Sequence, residues 1–545
     1  MDWRRHWAGR ERYTVFASSY RQADIDRCIA HWRDDPHRPT RLHIIAIADG
    51  PLPGFERVPQ QIEAITVDLL HAPLLAALAR LQARIDAVSI DDFDDTGVPR
   101  TLARLLARDA VLQAPALAPA QWRALAASGW IDDGGTLRFA SRKPMPPAAP
   151  APVRRALVIG AGLAGAAICE RLCARGWQVT LVERRPAAAM EASGNQAGIG
   201  MPLLSKDDNR ASRLSRAAFV YAGAYWRRLG GVGQGGAIEG DNCGVLLAAR
   251  DGRHAALQRS IAAANNLPAA YAEWFDAQEA AARFGAVAPH GAWLFPQGGW
   301  IRPASAVAAM LAACGANLKT HFGAGDVHLV KTDDGWTART ADNKTIAGAP
   351  TVIIASGGGA IAQTAALPLD RVRGQVTHLA AGTTPDLGFV LCREAYLTPA
   401  AGGIASAGAT YDDDADPALR QSSQDQNLAH LRSMLADDSV AHEAPLAGRV
   451  GFRAVAPDRL PMVGAVPEPD FDLGAERLRD LPRQPGVYAL LGYASRGLTW
   501  APLAAELLAA SLEHEPLPLE EELVAALDPG RFMLRARRGK AGGLR

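Results

Sequence analysis

The 545-residue chain lacks several features that would settle its class at once. No run of 18 or more apolar residues occurs, and the most apolar stretch, around Ala156–Cys169, is rich in glycine and ends at Glu170 and Arg171. A membrane span is therefore not expected. The N-terminus, MDWRRHWAGRERY, has no apolar core and does not read as a secretory signal. Cysteine is sparse, with six scattered residues and no CxxC pair, which suits a reducing compartment better than a disulfide framework. These absences point to a cytoplasmic protein. The formal net charge is only +1, so no global field marks a nucleic-acid binder, and any polyanion site must come from local clustering. The 13 histidines include no HxxxH or HExxH spacing, so no metal site is expected. GxSxG is also missing, and no Ser–His–Asp arrangement can be picked out.

What is present is ordinary in bulk and specific in detail. The composition, 48% hydrophobic and 21% charged, is that of a globular protein, and the length allows two to four domains at ~100–200 residues each. One seam is visible: KPMPPAAPAP, residues 143–152, holds five prolines and reads as an extended spacer. It separates residues 1–142 from residues 153–545. The first part alternates strand-like pieces (Leu42–Ala48, Ile85–Ile90) with helix-like ones (Leu102–Leu106, Gln121–Ala127), which predicts a small α/β layer fold. It opens on RYTVFASSYRQADIDR, a strand-to-helix turn with no glycine.

The second part opens with a complete version of that turn. Strand Ala156–Ile159, helix Ala164–Arg175 and strand Gln178–Val182 make a βαβ unit around Gly160, Ala161, Gly162, Leu163, Ala164 and Gly165. The glycines permit the tight turn, the approach of backbone to a pyrophosphate, and close helix-to-strand packing. Glu183 ends the next strand, 23 positions after Gly160, where an acid can hold the ribose hydroxyls of a dinucleotide. A packing turn alone would not require that acid. In the following loop, EASGNQAGIG, Ser193 and Asn195 can offer donors to a phosphate or a flavin ring, although a plain flexible loop has the same composition. The stretch TVIIASGGG (351–359) reads as a strand returning to the first sheet, and the last apolar stretch as strand, loop and long helix. The order is that of a nucleotide domain interrupted by a substrate domain.

The motifs ASGNQAGIGMPLLSKDD, FPQGGWIRPAS, RGQVTHL, YLTPA, GATYDDD, FRAVAPDRLPMVGAVP and GYASRGLTWAPLAAELLA occur in that order. Residues 153–540 thereby resemble the FAD-dependent half of the bifunctional tRNA 5-methylaminomethyl-2-thiouridine biosynthesis enzymes, in the D-amino-acid and glycine oxidase group. The resemblance implies a Rossmann-type FAD domain with an inserted antiparallel-sheet substrate domain. It implies oxidation of a carboxymethylaminomethyl group on the wobble uridine of tRNA, followed by imine hydrolysis to aminomethyluridine and glyoxylate. By position, Arg453 would grip the substrate carboxylate and Arg496 would lie close to the flavin; Tyr396 would line the pocket or sit half-buried in the core. A planar guanidinium can bind a carboxylate bidentately, although either arginine could instead form a surface ion pair. Arg184, Ala192, Gly198, Gly357, Gly492, Ser495, Gly497 and Leu498 complete the expected cofactor contacts. No general base is assigned. The basic tail Arg531–Arg545 is either the candidate tRNA contact or a plain solvated tail, with WRRHWAGRER near the start a weaker candidate.

The first part resembles the methyltransferase half of the same enzymes in RLHIIAI, PLPGFERV, ITVDLL and IDAVSIDDF. It departs from them where the methyl donor should bind. ASSYRQ stands where a glycine-rich turn is expected, and Ala48 where a ribose-binding acid is expected. Asp91 remains at the place matching the catalytic aspartate, but is expected to lack partners. The expectation is a degenerate methyltransferase-like domain that does not bind S-adenosylmethionine. Two alternatives remain open: an oxidase of free glycine, sarcosine or D-amino acids, and a flavin-bound tRNA-binding protein without turnover.

Overall fold

The computed structural model describes residues 2–60, 62–93, 96–113, 117–133, 136–140, 153–437, 440, 446–469 and 476–535. The proline-rich linker, residues 143–152, and residues 536–545 of the basic tail lie outside the described residues. The chain divides into two compact units, one of residues 1–154 with 506–524, the other of residues 155–505 with 525–545. The sequence reading had not separated 506–524 from the second part.

The first unit is built on an eight-stranded sheet. Its five central strands are parallel, in the spatial order Ile65–His71, Arg41–Ile47, Arg12–Ala17, Ile85–Ser89, Leu106–Gln113. Such strands are covered on both faces and so read as unbroken apolar runs. Successive side chains point to opposite faces: Tyr13 and Val15 pack with Trp3, Trp7 and Trp32 on one side, and Phe16 packs with Leu70 and Leu102 on the other. Trp3 and Trp7 make WRRHWAGRER part of this core, with Arg4 bonded to Asp2 and Arg10 to Asp86. The helix expected at Leu102–Leu106 is Gly97–Ala103, and Leu106 starts a strand instead. Leu102, Leu105 and Leu106 fit helical spacing, but such a short apolar run fits a buried strand equally well.

Residues 506–524 complete this unit with buried carboxylates. Arg57 donates to both oxygens of Asp68 at 2.7 Å and to Glu506 at 2.8 Å. All three side chains are at most 4% exposed. Arg41 pairs with Glu515 at 2.6 Å.

In the second unit a six-stranded sheet has the order Leu318–His321, Gln178–Val182, Arg155–Ile159, Thr351–Ile354, Arg483–Leu491, Met462–Pro467, parallel but for the last pair. The return strand read at 351–359 thus joins the opening βαβ unit. The inserted sheet has eight strands and is antiparallel save for one parallel pair, Val245–Ala248 with Val390–Cys392, a small departure from expectation. Its two long strands, Asp370–Ala380 and Gly448–Val455, pair antiparallel with Val372 opposite Arg453 and Gly374 opposite Gly451. Helix Gln421–Leu435 covers this sheet with Leu428, Leu431 and Met434. Among the described residues, no helix is long and apolar enough to cross a membrane.

Candidate active site

The second unit holds an open cavity of about 440 Å³ that runs from Glu183 to the inserted sheet. Its first end is the glycine turn. Gly160 has φ +106, and a Cβ there would stand 2.6 Å from the carbonyl of Ala355, just past the neighbouring strand Thr351–Ile354. At Gly165 a Cβ would meet the Gly160 carbonyl at 1.8 Å, so helix Leu163–Cys173 can approach its strand only through glycine. Glu183 is buried; its carboxylate accepts from the backbone amides of Ala161 (2.7 Å) and Arg185 (2.8 Å) and still faces the cavity. A carboxylate has about four acceptor sites, so two remain for ribose hydroxyls.

Ser193 lies at the start of the same helix, with its Oγ accepting from the Leu163 amide at 3.1 Å. Its loop is clamped from two directions. Arg449 donates to the carbonyls of Met190 (2.6 Å) and Glu191 (2.8 Å), and the Glu191 side chain accepts from Arg184 (2.9 Å) and Arg185 (2.7 Å). The loop is therefore a held wall of the cavity rather than a plain flexible connection. An acid, a helix N-terminus and a glycine turn along one groove fit the ribose and pyrophosphate of FAD.

Of the predicted site residues, Gly160, Gly162, Leu163, Ala164, Glu183, Arg184, Ala192, Ser193, Asn195, Gly198, Gly357, Tyr396, Arg453, Gly492, Ser495, Arg496, Gly497 and Leu498 all line this cavity. Ala161 and Gly165 do not. Ala161 is fully buried and turns its amide to Glu183, while Gly165 faces the Gly160 carbonyl, so both serve packing.

The far end gathers two cations. Arg453 donates from Nη1 to the carbonyls of Thr410 (3.1 Å) and Arg373 (3.4 Å), and Arg496 donates to the carbonyl of Met201 at 3.4 Å. Among the described residues, no carboxylate forms an ion pair with either arginine. Burial pulls Arg496 below the ordinary arginine value. Tyr396 lines the wall half-buried, and burial pushes its hydroxyl up, so it stays neutral. Burial also pushes the Cys392 thiol up to about 12, so no thiolate offsets the arginines. Two half-buried cations with no carboxylate partner among the described residues can accommodate an added carboxylate. Sequence reading missed Tyr411, which lines the cavity against Arg453, although GATYDDD carried it.

Elsewhere two expectations change. Arg531 is buried and bonded to both oxygens of Asp458 at 2.9 Å, and Arg535 pairs with the same carboxylate at 2.7 Å. These two arginines are thus paired with a carboxylate, while Arg537, Arg538, Lys540 and Arg545 of the basic tail lie outside the described residues. In the first unit, Asp91 has three partners. Its carboxylate accepts from Ser19 Oγ (2.6 Å) and Arg21 Nη2 (2.8 Å), and its amide donates to Ser18 Oγ (3.0 Å). These groups bridge the carboxyl ends of strands Arg12–Ala17 and Ile85–Ser89, where the strand order reverses and a parallel sheet ordinarily takes its ligand.

The βαβ groove, the inserted sheet and the cavity between them define an FAD-dependent oxidoreductase. Residues 155–511 match the family of FAD dependent oxidoreductases known as DAO. Among solved structures, the glycine oxidase of Geobacillus kaustophilus superposes with a TM-score of 0.56 at 21% identity, covering 69% of this chain and 98% of that one. The iminodiacetate oxidase of a Chelativorans species does so at 0.54 and 23%, covering 67% and 96%. These likenesses establish the fold. The chain belongs to the family of tRNA 5-methylaminomethyl-2-thiouridine biosynthesis bifunctional proteins MnmC: the relative from Aromatoleum aromaticum is 40% identical over 98% of this chain and 92% of its own length. The relative from Azoarcus sp. (strain BH72) is 38% identical with the same coverage.

Proposed function

We propose that this chain oxidises the carboxymethylaminomethyl group on the wobble uridine of tRNA and releases aminomethyluridine and glyoxylate. The observation that carries the reading is the pair Arg453 and Arg496, cations without a carboxylate partner among the described residues at the end of an FAD groove. FAD, when bound, would take up the two electrons of the carbon–hydrogen bond broken beside the nitrogen, where the carbon–nitrogen double bond forms. Arg453 holds the substrate carboxylate, and Arg496 adds positive charge beside it. Tyr396 supplies a neutral wall. Fixing the carboxylate fixes the neighbouring carbon, so most of the protein's contribution is orientation. Hydrolysis of the carbon–nitrogen double bond frees the primary amine on the base side and the aldehyde carbon on the carboxylate side. The free-amine oxidase reading is not favoured, because the MnmC relatives match nearly the whole chain, the first unit included.

The first unit is a methyltransferase-like domain that has lost its methyl donor. Supporting this, Ser18, Ser19 and Arg21 occupy the crevice with Asp91, and no glycine opens the turn. The product of this chain is then the primary amine.

The test is nucleoside mass spectrometry of tRNA carrying carboxymethylaminomethyluridine, incubated with the purified protein. Conversion to aminomethyluridine is expected, with FAD released on denaturation. Unchanged tRNA, or protein that cannot be loaded with flavin, overturns the reading. Arg453→Ala should keep the flavin and lose at least about a hundredfold in kcat/KM, as expected for about 3 kcal/mol of charged hydrogen bonding. Wild-type turnover in that variant removes Arg453 from the site.

A further inference from the structure

Of the aromatic rings lining the cavity to which the reaction above gives no role, Phe452 is half-buried, Tyr493 is nearly buried and Tyr411 is exposed. Tyr411 follows strand Ile404–Gly408, is 67% exposed, and lines the cavity. The guanidinium carbon of Arg453 lies 4.2 Å from its ring centroid, within the range of a direct cation–π contact. That contact occupies one face of the ring and leaves much of the side chain open.

The ring is exposed, yet its backbone is pinned on both sides. Before it, the Thr410 amide donates to the Gln375 carbonyl at 3.2 Å. After it, Asp412 and Arg373 exchange backbone hydrogen bonds at 2.9 and 3.0 Å. The Arg373 side chain, fully buried, then ties down the loop that follows: it donates to the Asp412 carboxylate (2.8 Å) and to the carbonyls of Asp416 (2.8 Å) and Ala418 (2.6 Å). Arg373 also offers its own carbonyl to Arg453 at 3.4 Å. One buried residue thus supports both the loop bearing the ring and the cation beneath it. A ring held open in this way is organised in advance for a planar partner.

The substrate proposed above has such a partner. A carboxylate on Arg453 is joined by a short aliphatic arm to a pyrimidine ring, and the nearest exposed flat surface is Tyr411. Stacking on an aromatic side chain is the usual way a base out of its helix is held. We propose that Tyr411 is the stacking platform for the pyrimidine base and sets the preference for a base-bearing amine over a free amino acid. The proposal rests on the function proposed above.

The experiment uses the full-length protein loaded with FAD and an RNA stem-loop carrying carboxymethylaminomethyluridine. Wild type, Tyr411→Ala and Tyr411→Phe are compared in steady-state turnover, and glycolate serves as a competing carboxylate that probes Arg453 alone. Tyr411→Ala should raise KM for the stem-loop about tenfold or more, the alanine-scan scale of one base stack. Its kcat and its glycolate inhibition constant should stay within about threefold of wild type, and Tyr411→Phe should match wild type throughout. An unchanged KM in Tyr411→Ala overturns the platform. So does a parallel weakening of glycolate, which would make the ring a prop for Arg453, or an equal loss in Tyr411→Phe, which would place the effect on the hydroxyl. Failure of glycolate to inhibit wild type overturns the carboxylate grip and the platform built beside it. A wild type inactive on the stem-loop overturns the proposed function itself.

Discussion

Arg453 lies across a strand that gives it room by having no side chain. A Cβ built on Gly374 would stand 2.2 Å from Arg453 Nη1 and 2.5 Å from its Cζ. The obstructing atoms are the far end of a flexible side chain, so an added methyl would move the guanidinium before it moved the sheet. Gly374→Ala should therefore leave the melting temperature within about 3 °C of wild type, as expected for a change of well under 1 kcal/mol in a protein this large. It should lower kcat/KM at least about tenfold, and full activity would show that Arg453 works from another position. A second residue-scale prediction concerns Glu170, buried on the helix of the glycine turn. Burial alone would raise it, but Arg171, Arg228 and the hydroxyl of Tyr225 outweigh that and hold it at about 2. Its carboxylate stabilises the fold above the unfolded value of about 4.3, and that contribution is lost as pH falls through about 2. In urea unfolding between those limits, Glu170→Gln should lose less stability with acid than wild type does. Parallel curves would remove Glu170 from the acid response.

At the scale of elements, the two strand-to-helix turns show what could be read in advance. The turn at Gly160–Gly165 and the acid at Glu183 were legible because their chemistry is local: φ +106, a close carbonyl and an anion at a fixed distance along the chain. The bare turn was legible only as missing glycine, and its contents were not legible at all. That Ser19 and Arg21 bond Asp91 depends on two strands, some seventy residues apart, lying side by side. Tyr411 and Gly374 were hidden for a related reason. Their relation to Arg453 follows from the loop after Gly408 and from the register of Asp370–Ala380 against Gly448–Val455, which no local pattern encodes. The bridged crevice predicts that calorimetry of the full-length protein will detect no micromolar binding of S-adenosylmethionine. A dissociation constant in that range would restore the methyl donor to the first unit.

At the scale of the molecule, the first unit is discontinuous in sequence. Residues 1–154 need 506–524, which place Glu506 against Arg57 and Glu515 against Arg41. Removing the partner of a buried charge costs roughly 3–5 kcal/mol, against about 5–15 kcal/mol for an entire domain. A chain ending at residue 154 should therefore show no sharp cooperative melt, whereas the full chain should; a sharp transition in the fragment would contradict this.

That division has a consequence during synthesis. The strands of the first unit leave the ribosome before residues 155–505, yet the carboxylates that complete it follow only after that stretch. At about 5–20 residues per second, the intervening stretch takes roughly 20–70 s to translate. For that interval the nascent front unit must wait with Arg57 and Arg41 not yet matched to Glu506 and Glu515. A messenger cut short between residues 155 and 505 leaves that unit unfinished, so its completion reports that the stretch between its two segments has been translated.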